Sequence, residues 1–278
     1  MAAVALIALP YDSGRFEERM GCGPGVLMAG GLIDALRAQN FEVNTSSIRL
    51  PAAFHTEASA LVDLQRSAVL AIREARARGD RPIVLSGNCG PAALSAVAAL
   101  GGMTTGVIWF DAHGDFNTPE TSASGFLDGM GLAILMGQCW SNLVQRFESF
   151  TPVPAEHVVQ VGVHDVEEEE GARLAESSMV RIHPGRLDAL DAAIRALSTR
   201  VSQVYVHVDV DVLDLAEGAA NSYACAGGVR LADLREALKT IGKVIPIAAG
   251  SITSYDPKAD SDGRIGRAIP HIVELLVR

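Results

Sequence analysis

Short runs of β-branched and other apolar residues alternate along the chain with longer segments in which apolar residues recur every three or four positions. The short runs predict strands and the longer segments predict helices. The predicted strands are 4–9, 82–86, 106–110, 158–163, 204–212 and 244–252. The predicted helices are 25–38, 59–78, 91–100, 187–199 and 231–241. This alternation indicates a mainly parallel sheet covered by helices on both faces.

The organisation of the chain favours one α/β domain over residues 1–278. No linker rich in Pro, Gly or Ser divides it, and no segment repeats at a fixed period. Apolar residues make up 49% of the chain and charged residues 20%, so a large core of small aliphatic side chains can be buried. Fibrous, disordered and disulfide-stabilised classes are excluded.

The formal charge is −10, so the chain would be repelled by phosphate backbones and by anionic membrane surfaces. We therefore expect neither nucleic acid nor a membrane as a partner. The four cysteines, Cys22, Cys89, Cys139 and Cys225, are widely spaced and form no metal or redox motif. Because residues 1–10 also lack the features of a signal peptide, we expect a cytoplasmic protein.

Candidate ligand groups directly follow two of the predicted strands. Asp111, His113 and Asp115 come after strand 106–110, and their spacing would place them on one side of an extended backbone. Asp209 and Asp211 have the same spacing at the end of strand 204–212, with His207 and Asp214 close by in sequence. Since parallel strands end at one edge of a sheet, these side chains are expected to converge there.

Four carboxylates in apolar surroundings must be protonated, paired with Lys or Arg, or neutralised by metal ions. Neither segment contains Lys or Arg, and two divalent cations would balance four carboxylates. Oxygen donors with little imidazole suit Mn²⁺ or Mg²⁺ better than structural Zn²⁺. The alternative is that the aspartates only cap helices or face solvent.

A third strand end, 82–86, leads into Gly87-Asn88-Cys89-Gly90 and then a helix, so Cys89 is expected at the same sheet edge. A free cysteine is usually a small buried hydrophobic residue. Beside a divalent cation, however, the thiol would ionise and act as a ligand.

Three segments together resemble the ureohydrolase superfamily of arginases and agmatinases. They are the loop 86–90, the run Asp-Ala-His-Gly-Asp-Phe-Asn at 111–117 and the run Asp-Val-Asp-Val-Leu-Asp at 209–214. The resemblance extends over nearly the whole chain. It implies a three-layer α/β/α sandwich, two manganese ions and a homo-oligomer, either a trimer or a hexamer.

The resemblance also implies metal-binding roles for individual residues. Asp111 and Asp209 would bridge the two metals, Asp115 would join the first metal, and His113 with Asp211 would hold the second. Cys89 occupies the place where the family has a histidine on the first metal. Because a thiolate is softer than an imidazole, the first site is expected to be weaker for Mn²⁺ or to prefer Zn²⁺ or Fe²⁺.

For catalysis the resemblance implies a hydroxide, formed from a water that bridges the metals, which attacks the carbon of an amidine or guanidine. Asp115 and Asp128 are the catalytic candidates, and Asp128 stands where the family has a proton-shuttle histidine. The substrate-binding candidates match positions that hold an amino acid or a guanidinium, and they are Asn117, Ser124, Glu167 and Ser254. Ser254 replaces a guanidinium-binding glutamate, so ordinary arginine hydrolysis is less expected than the family resemblance alone implies, and an arginine-like or smaller amidino substrate stays open.

The main hypothesis is therefore a metal-dependent hydrolase of C–N bonds in linear amidines, with a guanidino or N-hydroxyguanidino substrate and urea or a related product. The alternative is a catalytically weak homologue that binds a small ligand or metal. A metal-dependent phosphohydrolase is disfavoured, because the aspartates are accompanied by no P-loop and no basic phosphate clamp.

Overall fold

The computed structural model describes residues 3–51 and 56–278. Within these residues the chain forms ten strands: β1 (Ala3–Leu9), β2 (Tyr11–Asp12), β3 (Arg15–Phe16), β4 (Glu42–Ser47), β5 (Arg81–Ser86), β6 (Thr105–Phe110), β7 (Val158–Val161), β8 (Val180–Ile182), β9 (Gln203–Asp209) and β10 (Ile247–Thr253). Strands β2 and β3 form a short antiparallel hairpin. The other eight form one sheet in the order β4-β1-β5-β10-β9-β6-β7-β8, with every neighbouring pair parallel.

Helices cover both faces of this sheet. In the described part of the chain they are α1 (Gly23–Leu27), α2 (Ile33–Ala38), α3 (Glu57–Ala77), α4 (Cys89–Leu100), α5 (Gly131–Leu135), α6 (Ser141–Val144), α7 (Glu168–Glu176), α8 (Leu190–Ser198), α9 (Leu231–Val244) and α10 (Arg264–Val277). Helices α3, α4 and α5 pack together on one face, while α1, α2, α8, α9 and α10 cover the other. The predicted three-layer α/β/α architecture is confirmed.

The continuous apolar runs are explained by this double cover. All six residues of β6 are buried, because helices lie over both sides of the strand. The Ala-rich α4 packs between α3 and the strands β9 and β10, and its small side chains allow close approach. Among the described residues, no helix is both long and apolar enough to span a bilayer.

Several predicted boundaries are wrong for local reasons. The predicted helix 25–38 is interrupted between α1 and α2, where Gly31 adopts a φ of 104° that only glycine tolerates easily. The predicted helix 187–199 begins as a 3-10 turn over Pro184–Ala189 before α8. The predicted strand 158–163 stops at Val161, because Gly162 has a φ of 97°.

Other elements were not predicted at all. The pattern missed the edge strands β4 and β8 and the helices α7 and α10. Strand β10 also begins and ends later than the predicted range 244–252.

Candidate metal centre and substrate pocket

The site lies where β5, β10, β9 and β6 end, because these four parallel strands are neighbours in the sheet. Strand β6 ends directly before Asp111, and β9 ends on Asp209. The loop after β5 leads into α4 at Cys89, and β10 ends on Thr253. Side chains that are distant in sequence therefore meet at one sheet edge, as the strand-end pattern predicts.

The segment from Asp111 to Asp115 leaves the sheet as a wound loop. Asp111 Oδ1 accepts a hydrogen bond from the backbone N–H of His113 at 2.8 Å, and Asp115 has a φ of 49°. Our expectation of an extended backbone with the three side chains on one side is therefore wrong. They still reach one site, because the carbonyl of Asp115 accepts the N–H groups of Leu132 and Ala133 and so ties the loop to α5.

The predicted strand 204–212 likewise ends early, at Asp209, because Val210–Val212 form a 3-10 turn. Asp209 Oδ1 accepts the backbone N–H of Asp211 at 3.0 Å and thereby caps this turn. Asp209 Oδ2 lies 3.0 Å from the Cys89 sulfur and also accepts the hydroxyl of Ser254. The turn directs Asp211 into the site, where Asn221 Nδ2 donates to its Oδ2 at 3.0 Å.

Two groups of side chains in the described residues have the spacing of a cation site. One contains Asp111, His113 and Asp211, and the other contains Cys89, Asp111 and His207. In each group, one ligand atom from every residue lies within 4.8 Å of the others. Asp111 belongs to both groups, which is the arrangement expected of a carboxylate that bridges two metals.

Within this site, two buried carboxylate oxygens have no hydrogen-bond partner among the described residues, namely Asp115 Oδ2 and Asp211 Oδ1. A buried polar atom without a partner is costly, and an ionised oxygen more so. A divalent cation is the partner that such oxygens accept most readily. The residues present therefore fit the two metal ions that the resemblance implies.

The electrostatics of the site support the same interpretation. Burial raises the pKa values of Asp115 and Asp209 well above their usual range, and repulsion from neighbouring carboxylates raises them further. Burial and the nearby aspartates also raise the pKa of the Cys89 thiol. Burial would raise the pKa of Asp211 as well, but its contacts with His113 lower it overall. No described Lys or Arg side chain lines the pocket to compensate this charge.

All residues of the two metal groups except the fully buried His207 line one pocket of about 330 Å³. Every site residue predicted from the sequence lines this pocket: Cys89, Asp111, His113, Asp115, Asn117, Ser124, Asp128, Glu167, Asp209, Asp211 and Ser254. Its volume suits a small molecule rather than a macromolecule.

Comparison with known proteins confirms the resemblance. A family model described as "Arginase family" matches residues 2–277. The chain belongs to the arginase family. It is 26% identical to an arginase of Bacillus caldovelox over 94% of this chain and 93% of that protein. It is also 26% identical to an arginase of Bacillus subtilis strain 168 over 99% of this chain and 97% of that protein.

Solved structures show the arginase fold in this family member. The arginase of Bacillus caldovelox superposes with a TM-score of 0.88 at 23% identity, covering 100% of this chain and 98% of that one. A formimidoylglutamase of Bacillus subtilis superposes with a TM-score of 0.79 at 18% identity, covering 100% of this chain and 86% of that one. At these identities the structural likeness shows the fold, while substrate choice depends on the pocket itself.

Asp128 lies in this arginase-family pocket next to the N-terminus of α4. Its Oδ2 accepts the side-chain N–H of Asn88 at 2.8 Å and the backbone N–H of Cys89 at 3.0 Å. Its Oδ1 accepts the backbone N–H of Gly90 at 2.9 Å. Burial raises the pKa of Asp128 to about 7, although these three hydrogen bonds lower it. The carboxyl group thus both anchors a helix and titrates near neutrality.

The predicted substrate residues take part in two different sets of contacts. Asn117 Nδ2 donates to Glu167 at 3.3 Å, so these two polar groups lie together on one wall. Ser124 Oγ accepts the backbone N–H of Phe126 within its own loop. Ser254 instead donates to Asp209 and lies 3.5 Å from the Cys89 sulfur, which places it against the metal residues.

Some residues of this arginase-family site were missed by sequence reasoning. Asn221 contacts Asp211, and Tyr223 stacks on Phe126 with ring centroids 6.1 Å apart. Both lie in the loops after β9, where no periodic pattern marks them. Asp214, noted from its motif, lies outside the pocket lining and accepts the backbone N–H groups of Ala216 and Gly227.

Proposed function

We propose that this chain is a metal-dependent hydrolase of C–N bonds in linear amidines, acting on a guanidino or N-hydroxyguanidino substrate with release of urea or a related product. The observation that carries the proposal is the pair of overlapping ligand groups, together with two unpaired carboxylate oxygens whose residues line a small-molecule pocket. Membership of the arginase family supports it.

Two divalent cations, when bound, would supply a nucleophile by lowering the pKa of a water held between them. Asp111 and Asp209 would hold both cations, with Cys89 and Asp115 on the first and His113 with Asp211 on the second. The native metal is proposed to be Mn²⁺, with Zn²⁺ or Fe²⁺ as the alternative at the first site because of the thiol.

The remaining pocket residues would bind and orient the substrate. Asn117, Ser124 and Glu167 line the same pocket, and we propose that they hold the ends of an amino acid or a smaller amidine. Phe126 and Tyr223 form an aromatic wall that favours a flat or extended chain. Asp128, with a pKa of about 7, is proposed to hand a proton to the leaving amine.

The test measures metal content and urea release together. Metal-depleted protein is reconstituted with Mn²⁺, Zn²⁺ or Fe²⁺ and assayed on arginine, N-hydroxyarginine, agmatine, guanidinobutyrate and guanidinopropionate. Asp209→Ala should abolish both metal binding and turnover, whereas Asp214→Asn, a matched change in the same motif outside the pocket lining, should preserve both. Full metal occupancy in Asp209→Ala would contradict the assignment.

A second candidate is a weakly catalytic homologue that binds a metal or a small ligand. It is favoured by one observation: both oxygens of Asp128 are already engaged by three N–H groups of the α4 entry. The same panel separates the two candidates, because a fully metallated protein that turns over no substrate would support the binding role.

Three broader expectations are also proposals. The chain is expected to be one domain, to assemble as a trimer or hexamer, and to work in the cytoplasm on small molecules. Light scattering coupled to size exclusion would measure the assembly, and fractionation of the source cells would measure the compartment.

A further inference from the structure

A buried histidine, His207, lies directly beneath Cys89 and Asp111, two of the residues proposed to bind the first metal. His207 is on β9, two residues before Asp209, so both side chains project from the same face of the strand towards the start of α4. The imidazole is fully buried and stacks on Trp109 of the neighbouring strand, with ring centroids 3.8 Å apart and planes at 19°. This stacking fixes the plane in which its two ring nitrogens lie.

The Nδ1 side of His207 faces two hydroxyl groups. Tyr205 Oη and Ser251 Oγ each lie 2.9 Å from Nδ1, and they are 2.7 Å from one another. Because a hydroxyl can accept as well as donate, this pair can receive an Nδ1–H. Nε2 then carries the free lone pair. Metal-bound histidines are commonly oriented in this way, through a hydrogen bond from the other ring nitrogen.

The Nε2 side of His207 faces Cys89 and Asp111. Its hydrogen-bonding contact there is Thr253 Oγ1 at 3.3 Å, and the same oxygen lies 3.3 Å from the Cys89 sulfur. Nitrogen, sulfur and an Asp111 oxygen all lie within 4.8 Å of one another. Bonds of about 2.0–2.3 Å from one tetrahedral zinc place its ligand atoms about 3.3–3.8 Å apart, so modest side-chain movement would close the group.

We infer that His207 is the imidazole ligand of the first metal and that, with the Cys89 thiolate and Asp111, it makes this site prefer Zn²⁺ to Mn²⁺. The inference rests on the proposed two-metal function. In the family pattern the imidazole comes from the position of Cys89, whereas here it comes from the strand beneath. Asp209, whose Oδ2 lies 3.0 Å from the sulfur, and Asp115 stay the further carboxylate ligands of this metal, as proposed above.

Sulfur and nitrogen donors explain the preference for zinc. A thiolate and an imidazole suit Zn²⁺, whereas Mn²⁺ prefers oxygen donors and lies at the weak end of the divalent series. The other group, which contains Asp111, His113 and Asp211, has no sulfur donor. The two sites are therefore expected to differ in metal preference within one pocket.

The experiment uses metal-depleted full-length protein with His207→Phe, a change that keeps an aromatic ring against Trp109. Zn²⁺ affinity is measured by competition with a chromophoric chelator, and Co²⁺ is added separately as a spectroscopic probe. The His207→Phe variant should bind Zn²⁺ at the first site at least 100-fold more weakly than the wild type. Its visible Co²⁺ spectrum should change, while the charge-transfer absorption of the Cys89 thiolate persists. His271→Phe, at an exposed histidine of α10, should change neither.

Thr253→Val separates ligation from hydrogen bonding, because it removes the hydroxyl near Nε2 and leaves the imidazole. It should keep Zn²⁺ affinity within a few-fold of the wild type. Unchanged affinity and an unchanged Co²⁺ spectrum in His207→Phe would overturn the inference, as would an equal loss of affinity in Thr253→Val with the Co²⁺ spectrum preserved.

If His207→Phe does not fold, X-ray absorption on wild-type protein with one equivalent of Zn²⁺ decides the question. One sulfur and one imidazole around zinc are expected, and one sulfur with oxygen donors alone would refute the assignment. This result is independent of turnover. Zinc bound through His207 in a protein that releases no urea would refute the proposed hydrolase only, whereas urea release with an imidazole-free first site would refute this inference only.

Discussion

Replacing Asp128 with alanine tests whether one carboxylate holds the entry to α4. The side chain accepts N–H groups from Asn88, Cys89 and Gly90, at 2.8, 3.0 and 2.9 Å. All three donor residues are buried, and two of the donors are backbone groups at a helix N-terminus. Without the carboxylate they have no acceptor in this position, and the negative charge that favours a helix start is lost.

The expected loss follows from these contacts. Each hydrogen bond to a charged group contributes about 1.5–3 kcal/mol, but such contributions are not additive, and pocket water can reach half-buried Asp128. We expect Asp128→Ala to lower the free energy of unfolding by about 2–4 kcal/mol. This loss equals or exceeds the largest losses that follow the removal of a single helix cap. Asp128→Asn keeps one oxygen and should lose about half as much, because its amide N–H₂ would face one of the donors.

The assay is urea unfolding of metal-free protein with a chelator present, so that metal binding cannot mask the difference. Asp188→Ala, at an exposed carboxylate outside the pocket, is the control and should change stability by less than about 0.5 kcal/mol. A loss below about 1 kcal/mol for Asp128→Ala would refute the anchoring argument. Steady-state kinetics of Asp128→Asn then report separately on proton transfer.

Three further predictions concern the metals. Asp211→Ala should lower the bound metal by one ion per chain in equilibrium dialysis, because it removes a ligand with an unpaired buried oxygen; two ions bound at wild-type affinity would contradict this. Cys89→His should raise Mn²⁺ affinity in calorimetric titrations, and an unchanged or weaker affinity would show that Cys89 is not a ligand. Metal affinity should rise with pH, because burial raises the pKa values of Asp115 and Asp209 and bound metal requires their ionised forms. For the same reason the stability that these two groups give the metal-free protein is present at acidic pH and is lost as pH rises through their folded-state pKa values; a pH-independent affinity would count against both effects.

The convergence of the site could be predicted because it follows from general properties of parallel sheets. Strands buried on both faces appear as uninterrupted apolar runs, so a polar residue after such a run marks a strand end. Asp111 directly follows β6, and Asp209 is the last residue of β9. These two strands pair directly in the sheet. The detailed path could not be predicted, because the positive φ at Asp115 and the turn after Asp209 depend on hydrogen bonds to α5 and within the loop.

The missed elements lack the signals on which a sequence pattern depends. Strand β4 lies at the sheet edge and is mostly polar and exposed, so it has no apolar run. Helix α7 begins with three glutamates and buries only two residues, and one of those is Glu170. Helix α10 contains Pro270, a residue that normally argues against a helix interior. In each case tertiary packing outweighs local preference.

His207 shows a different limit of sequence reasoning. In sequence it lies in the apolar run of β9, where a histidine is easily taken for a core residue that only fills space. Its closeness to Cys89 appears only in the folded chain, where α4 packs over β9, because the two residues are 118 positions apart in the sequence. In the structure Cys89 and His207 are neighbours on one face, with Thr253 between them. A thiol at Cys89 alone would weaken the first metal site for Mn²⁺, whereas a thiol together with the proposed imidazole ligand would change which metal the site prefers. If His207 binds the first metal as proposed, Cys89 and His207 form one altered ligand set, and any search for the substrate should begin with the protein loaded with zinc as well as with manganese.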